Sequence, residues 1–170
     1  AIRIAPLLSE AKRALYIMRG LEDESILVLS LATKYISQTP LSEQEGLYNI
    51  LSKKVTQLIQ DTNVLLFENK KIIELIGKTS EPTRSELYEE AYRKIEKALS
   101  QDNDEIMHVA LHAGRLLPTP LVTKLVMKGL VDPSLRLQSL ASGLISFAEE
   151  EKRTEFVQKG LEQPEVAVQI

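Results

Sequence analysis

The 170-residue chain contains no cysteine and no tryptophan, and it has only seven glycines and seven prolines. The absence of cysteine excludes disulfide bonds and thiol chemistry. The absence of tryptophan removes one of the aromatic side chains on which nucleic-acid bases stack. The formal net charge of −3 provides no bulk attraction to nucleic acid or to an anionic membrane.

Long apolar runs are missing as well. No stretch approaches the roughly 20 apolar residues that a membrane-spanning helix needs, and no secretory signal pattern is present. No segment alternates strictly between apolar and polar residues as a half-buried strand does. Phosphate-binding glycine loops, the Gly-x-Ser-x-Gly elbow and the dinucleotide fingerprint are absent too. We therefore predict an all-α cytoplasmic protein without a membrane span, a cofactor or catalytic activity.

A helix–corner–helix unit recurs near the end of the chain. Gly129 and Gly160 lie 31 residues apart, as do Pro133 and Pro164. Because glycine tolerates the left-handed conformation that ends helices, we predict a positive φ at both glycines, or a tight corner that a β-branched residue would disturb. Asp132 is placed to cap the next helix, and Pro133 to occupy its first turn. The apolar stripe of that helix comprises Leu135, Leu137, Leu140, Ala141 and Leu144.

The corner at residues 132–136, Asp-Pro-Ser-Leu-Arg, resembles the Asp-Pro-x-Val-Arg corner of the HEAT-repeat family. The leucine and alanine pattern that follows is similar to the first helix of a short HEAT unit. This resemblance implies a right-handed α-solenoid of about five antiparallel helix pairs in one domain, residues 1–170. The first helices of the pairs are predicted to begin near residues 22, 61, 102, 133 and 164.

The last predicted unit begins at Pro164 and looks like an interior repeat, with Val166, Val168 and Ile170 apolar. A terminal solenoid repeat usually has a polar outer face, because no further repeat covers it. We therefore expect that these residues belong to a fragment of a longer repeat array, or that this end self-associates with another copy.

The only histidines, His108 and His112, stand four residues apart on one predicted helix, a spacing that can present two ligands to one metal. The glutamate of the His-Glu-x-x-His motif is missing between them. Together with Glu105 and Arg115 they form a polar stripe opposite apolar residues. We interpret this stripe as a solvated helix face and predict no metal site.

Aromatic and basic residues recur on the predicted second helices, which line the concave ridge in solenoids. Tyrosine is a favoured anchor at protein interfaces because it buries a large area with few rotatable bonds. Two plainer interpretations stay open: the rings pack between repeats, and the mixed charges are simply solvated. The predicted partner-binding residues are Tyr48, Lys53, Tyr88, Tyr92, Lys124, Lys128 and Lys159.

These patterns predict a non-catalytic scaffold that binds protein partners, of unknown identity, along the concave ridge. The alternative is a HEAT-like solenoid that binds nucleic acid or repairs alkylated DNA, which would need clustered cations without glutamate. A lyase or chaperone for a bound chromophore is a third hypothesis, and no residue here argues for it.

Overall fold

The computed structural model describes residues 9–61, 70–101 and 103–162, and within them the chain is helical without a strand. The all-α prediction is confirmed. Two 3₁₀ turns, Ile36–Gln38 and Ile145–Phe147, lie between helices. The α-helices are α1 Glu10–Leu21, α2 Ile26–Tyr35, α3 Leu41–Asp61, α4 Lys71–Ile76, α5 Thr83–Leu99, α6 Asp104–Gly114, α7 Thr119–Leu130, α8 Leu135–Ser142 and α9 Glu150–Leu161.

The predicted starts of the first helices agree with this order within a few residues. Helix α2 begins at Ile26, α6 at Asp104 and α8 at Leu135, against predictions near 22, 102 and 133. The helix predicted from about residue 61 is described only as α4, from Lys71 onward. The pair predicted from Pro164 lies outside the described residues.

The chain divides into two compact units, residues 1–88 and 89–170, with the boundary inside α5. In the first unit, α1 packs against α2 and α3, and α4 packs against the same two helices. In the second unit, α7 packs against α8 and α9, which also contact each other. Each unit therefore encloses its own core.

Aliphatic side chains fill both cores. In the first unit, Leu51 and Ile76 are fully shielded from solvent. In the second unit, Ile95 is fully shielded and Phe156 is 1% exposed. The sequence pattern predicts an apolar stripe on α3 made of Leu47, Leu51, Val55, Leu58 and Ile59. All of these are buried except Leu58, which is partly exposed. Removal of this apolar area from water is the main contribution to stability.

The predicted left-handed glycines are wrong. No described residue has a positive φ, and Gly129 and Gly160 lie inside α7 and α9. The physical reason at Gly129 is close helix packing. A Cβ there would lie 2.6 Å from the Cβ of Ala141, so α7 and α8 approach too closely for any side chain. The alternative expectation is a tight corner that a β-branched residue would disturb. Gly129 lies in a helix and not in a corner, but its surroundings are as crowded as that expectation requires.

The predicted cap of α8 is also shifted along the chain. Ser134, not Asp132, is the N-cap, and its Oγ accepts a 3.4 Å hydrogen bond from the Leu137 amide. Asp132 instead accepts a 2.9 Å hydrogen bond from the Ser134 amide, so it shapes the turn before the helix. Pro133, predicted to occupy the first turn of the helix, also lies before it, because α8 begins at Leu135. Leu135, predicted to point inward, is 47% exposed at the first position of α8.

The chain contains a second repeated feature, which the sequence pattern did not reveal. It consists of two similar corners at Thr39 and Thr79, which are 40 residues apart. Both threonines are buried, and each hydroxyl donates to a backbone carbonyl three residues earlier, at 2.7 and 2.8 Å. The carbonyl of Thr39 accepts from Gln44 Nε2 at 2.8 Å. The carbonyl of Thr79 accepts from Arg84 Nε at 2.9 Å and Nη2 at 2.6 Å. At both corners, therefore, the side chain five residues after the threonine donates a hydrogen bond to the carbonyl of that threonine.

The corner before α9 uses the same bond, because Arg153 Nε donates to the Ala148 carbonyl at 2.9 Å. Alanine replaces the threonine there and is likewise buried. The residue five positions after the corner therefore satisfies a buried carbonyl in both units.

We expect Arg84→Ala to lower the free energy of unfolding by about 1 kcal/mol, because it leaves the Thr79 carbonyl without its charged donor. The control is Arg93→Ala, which removes only an exposed ion pair with Glu90 and should cost under about 0.5 kcal/mol. Urea unfolding measures both values. Equal losses would show that the corner bond contributes nothing specific.

Candidate functional site

The predicted binding residues lie in both units. Tyr48 and Lys53 are on α3 and Tyr88 is on α5, all in the first unit. In the second unit, Tyr92 is on α5, Lys124 and Lys128 are on α7, and Lys159 is on α9. The structure brings Tyr92, Lys124 and Lys128 together, whereas Lys159 pairs within its own helix.

An ion-pair network joins α5 to α7. Lys128 Nζ donates to Glu96 Oε1 at 2.8 Å, and the Tyr92 hydroxyl donates to the same oxygen at 2.8 Å. Lys124 Nζ donates to Glu89 Oε1 at 3.1 Å and lies 5.9 Å from the centroid of the Tyr92 ring. Both lysines are therefore neutralised locally by glutamates, and Tyr92 is held by its hydroxyl and its ring face.

The network shifts the pKa values of two members. Burial raises the pKa of Tyr92, and the hydrogen bond to Glu96 adds to this effect. Burial alone would raise the pKa of Glu96, but hydrogen bonds from Lys128 and Tyr92 outweigh it and hold that pKa below the ordinary value of 4.5. The folded state thus favours a neutral Tyr92 beside an ionised Glu96.

Because the pKa of Glu96 is lower in the folded state, its contribution to stability should be present above about pH 4.5 and lost as the pH falls through the folded value. We expect Glu96→Gln to cost about 0.5–1 kcal/mol at neutral pH, since the side chain is partly exposed, and less near pH 3. Urea unfolding at the two pH values measures this difference. An equal cost at both pH values would contradict the assignment.

Lys159 belongs to a separate exposed cluster on α9. Its Nζ donates to Glu155 Oε1 at 2.9 Å, and Lys152 Nζ donates to Oε2 at 3.3 Å. The pKa of Glu155 is lowered, first by the bond from Lys159 and then by the bond from Lys152. Exposed pairs of this kind contribute little to stability. Lys124, Lys128 and Lys159 therefore form no uncompensated basic surface.

In the first unit, Tyr48 lines a groove of about 370 Å³. Lys34 and Lys78 contribute positive charge to this groove, Glu74 contributes negative charge, and the remaining lining residues are Ser30, Thr33, Ser37 and Leu75.

Tyr88 is half-buried, and its hydroxyl lies 2.9 Å from the position that a Cβ on Gly77 would take. Burial raises the pKa of Tyr88, an effect that Arg84 partly opposes. Tyr88 and Tyr92 therefore pack against their own unit with much of each ring.

Sequence interpretation missed an apolar groove between α1 and α3, with a volume of about 400 Å³. We call it the α1–α3 groove. It is lined by Ala14, Leu15 and Met18 of α1 and by Glu43, Gly46, Leu47 and Ile50 of α3. The sequence pattern places Leu15 on the apolar side of α1 with Ala14 and Met18, yet Leu15 is 42% exposed here.

Gly46 creates the room in this groove. No side chain or neighbouring backbone lies within 4 Å of the position that its Cβ would take. A glycine inside a helix costs roughly 0.5–1 kcal/mol relative to alanine. A helix-interior glycine on the apolar side of a predicted second helix is the signal that could have revealed the groove.

Within the described residues, the side chains that commonly bind metals do not converge on one point. His108 and His112 are both exposed on α6. Within residues 9–61, 70–101 and 103–162, no three histidine or acidic side chains are placed to hold one metal ion. In the same ranges no helix combines the length and the apolar character needed to cross a bilayer.

No protein family, no curated protein and no solved structure matches the chain. Function is therefore inferred from the geometry within each unit.

Proposed function

We propose that the protein is a HEAT-like α-solenoid and a non-catalytic interaction scaffold that binds segments of partner proteins. The second helices of its pairs are α1, α3, α5, α7 and α9, and together we call them the ridge. In the first unit α1 packs beside α3, and in the second unit α7 packs beside α9. The first helices α2 and α4 also contact each other. In stacked repeats, the second helices of successive pairs are neighbours, and so are the first helices. These contacts therefore support the proposal.

The observation that carries the proposal is the α1–α3 groove. It lies between two neighbouring ridge helices and exposes the side chains of Leu15, Met18 and Ile50 on one face. Concave apolar pockets are where proteins bind the large side chains that dominate interface energy. A leucine, isoleucine or phenylalanine of a partner would lose part of its contact with water when it packs against these side chains in a groove of about 400 Å³.

The alternative, a nucleic-acid binder, gains no support from the arrangement of lysines. Affinity for nucleic acid comes mainly from cations that replace counterions on phosphates. Lys124, Lys128 and Lys159 each hold a glutamate carboxylate instead, at 2.8–3.1 Å. A phosphate would have to compete with these glutamates for each of the three lysines. A protein partner is the better fit to such a ridge.

Affinity capture with matched baits tests the proposal. The wild-type chain, Gly46→Trp and His112→Trp are used as baits, and captured proteins are quantified by mass spectrometry. Gly46→Trp fills the groove, whereas His112→Trp adds the same bulk to an exposed position on α6. We expect a protein that wild type and His112→Trp retain and Gly46→Trp loses. Retention by Gly46→Trp together with loss by His112→Trp would place binding on the first helices and contradict the proposal.

A further inference from the structure

Among the described residues, Glu43 is the one charged side chain that lines the α1–α3 groove. Its Oε2 is buried and finds no hydrogen-bond donor within the described part of the chain. The described lining of the groove contains no lysine or arginine that could neutralise it. One oxygen of the carboxylate group that borders this apolar groove therefore lacks a hydrogen-bond donor.

This arrangement has a physical cost in the free protein. A carboxylate oxygen accepts hydrogen bonds only, and burying it without a donor costs more than burying a neutral polar group. A bound segment that supplies a cationic donor removes this cost and gains a charge-assisted hydrogen bond. A purely apolar segment would bury the carboxylate more deeply and increase the cost. An acidic segment would add repulsion between like charges.

We propose that the α1–α3 groove binds a partner segment in which a large aliphatic side chain adjoins an arginine or lysine. The aliphatic side chain fills the space beside Gly46, and the cation pairs with Glu43. This inference rests on the proposed function, since it names the chemistry of the partner at the ridge. Removal of the charge on Glu43 should therefore weaken binding, whereas the same change at an exposed neighbour should not.

Selection from a phage-displayed library of random short peptides tests this chemistry. Peptides are selected on the wild-type chain, and those that also bind Gly46→Trp are discarded. The remaining peptides should be enriched in an aliphatic residue next to arginine or lysine. A synthetic peptide of the most enriched sequence should bind Glu43→Gln about tenfold or more weakly than wild type. Glu45→Gln, an exposed glutamate on the same helix, should bind it as wild type does.

Exchanging the charges of Glu43 and the peptide distinguishes a loss of ion pairing from a structural effect of the Glu43 substitution. Glu43→Lys should lose the basic peptide and should bind a version in which its arginine or lysine is replaced by glutamate. Groove-dependent peptides without a basic residue, or full affinity for Glu43→Gln, would overturn this inference and leave the proposed function standing. A selection that yields no peptide lost by Gly46→Trp would overturn the groove itself as a binding site.

Discussion

Gly46→Trp is expected to reduce partner affinity by about 2 kcal/mol or more, roughly 30-fold, without destabilising the fold. The indole would occupy the space that a partner's apolar side chain needs, because nothing now lies within 4 Å of the Cβ position. Replacing a helix-interior glycine by a residue with a side chain also raises helix propensity, by roughly 0.5 kcal/mol for tryptophan. Isothermal titration of the captured partner measures the first effect, and urea unfolding measures the second.

Gly46→Ala is the matched control for this substitution. A methyl group at the same position should raise the unfolding free energy by roughly 0.5–1 kcal/mol and leave most of the groove open. Binding to Gly46→Ala should therefore stay close to that of wild type. Unchanged affinity of Gly46→Trp would remove the groove from the account of function.

Gly129→Val is expected to lower the free energy of unfolding by roughly 2–3 kcal/mol. Its Cβ would lie 2.6 Å from Ala141 Cβ and 3.3 Å from the Leu137 carbonyl oxygen, so α7 and α8 would have to move apart. The movement would also disturb side chains such as Val126 and Leu130, which are buried on α7. Urea unfolding of the variant and wild type measures the loss.

Gly46→Val provides the comparison for Gly129→Val, because both glycines lie inside helices and receive the same side chain. A valine at Gly46 meets open space, so its effect should lie within about 0.5 kcal/mol of zero. The difference between the two variants isolates the helix contact from helix propensity. Similar stabilities would show that α7 and α8 are not as close as the structure places them.

Helix positions could be predicted because they depend on local sequence. The four-residue spacing of Leu47, Leu51, Val55 and Ile59 marks one face of a helix, and that face is buried. The start of α6, predicted near residue 102, is likewise set locally, because the side chain of Asn103 accepts a 3.1 Å hydrogen bond from the Ile106 amide. Local side-chain chemistry is enough to decide such features.

The function of glycine could not be predicted in the same way. A glycine near the end of a helical pattern serves either as a left-handed cap or as a point of close helix contact. At Gly129 the second role applies because of Ala141, which lies on another helix and so is not part of the local pattern. The room beside Gly46 is likewise defined by the packing of α1 against α3.

The candidate site shows the same limit. Lys124 and Lys128 lie on one helix, α7, but the sequence could not show that Glu89 and Glu96 of α5 lie opposite them. Such pairs depend on how two helices are aligned, which the 31-residue spacing does not specify. The 40-residue recurrence of Thr39 and Thr79 was missed because the hydrogen bonds that relate the two threonines form only in the folded chain.

The central claim, that the ridge binds protein partners, is tested most directly by methyl NMR of the chain titrated with the captured partner. The methyl signals of Met18 and Ile50, on α1 and α3, should shift or broaden as the partner is added. Those of Ile106 and Val109, on α6, should remain unchanged. Perturbation of the α6 methyl groups with no change at Met18 and Ile50 would contradict the claim.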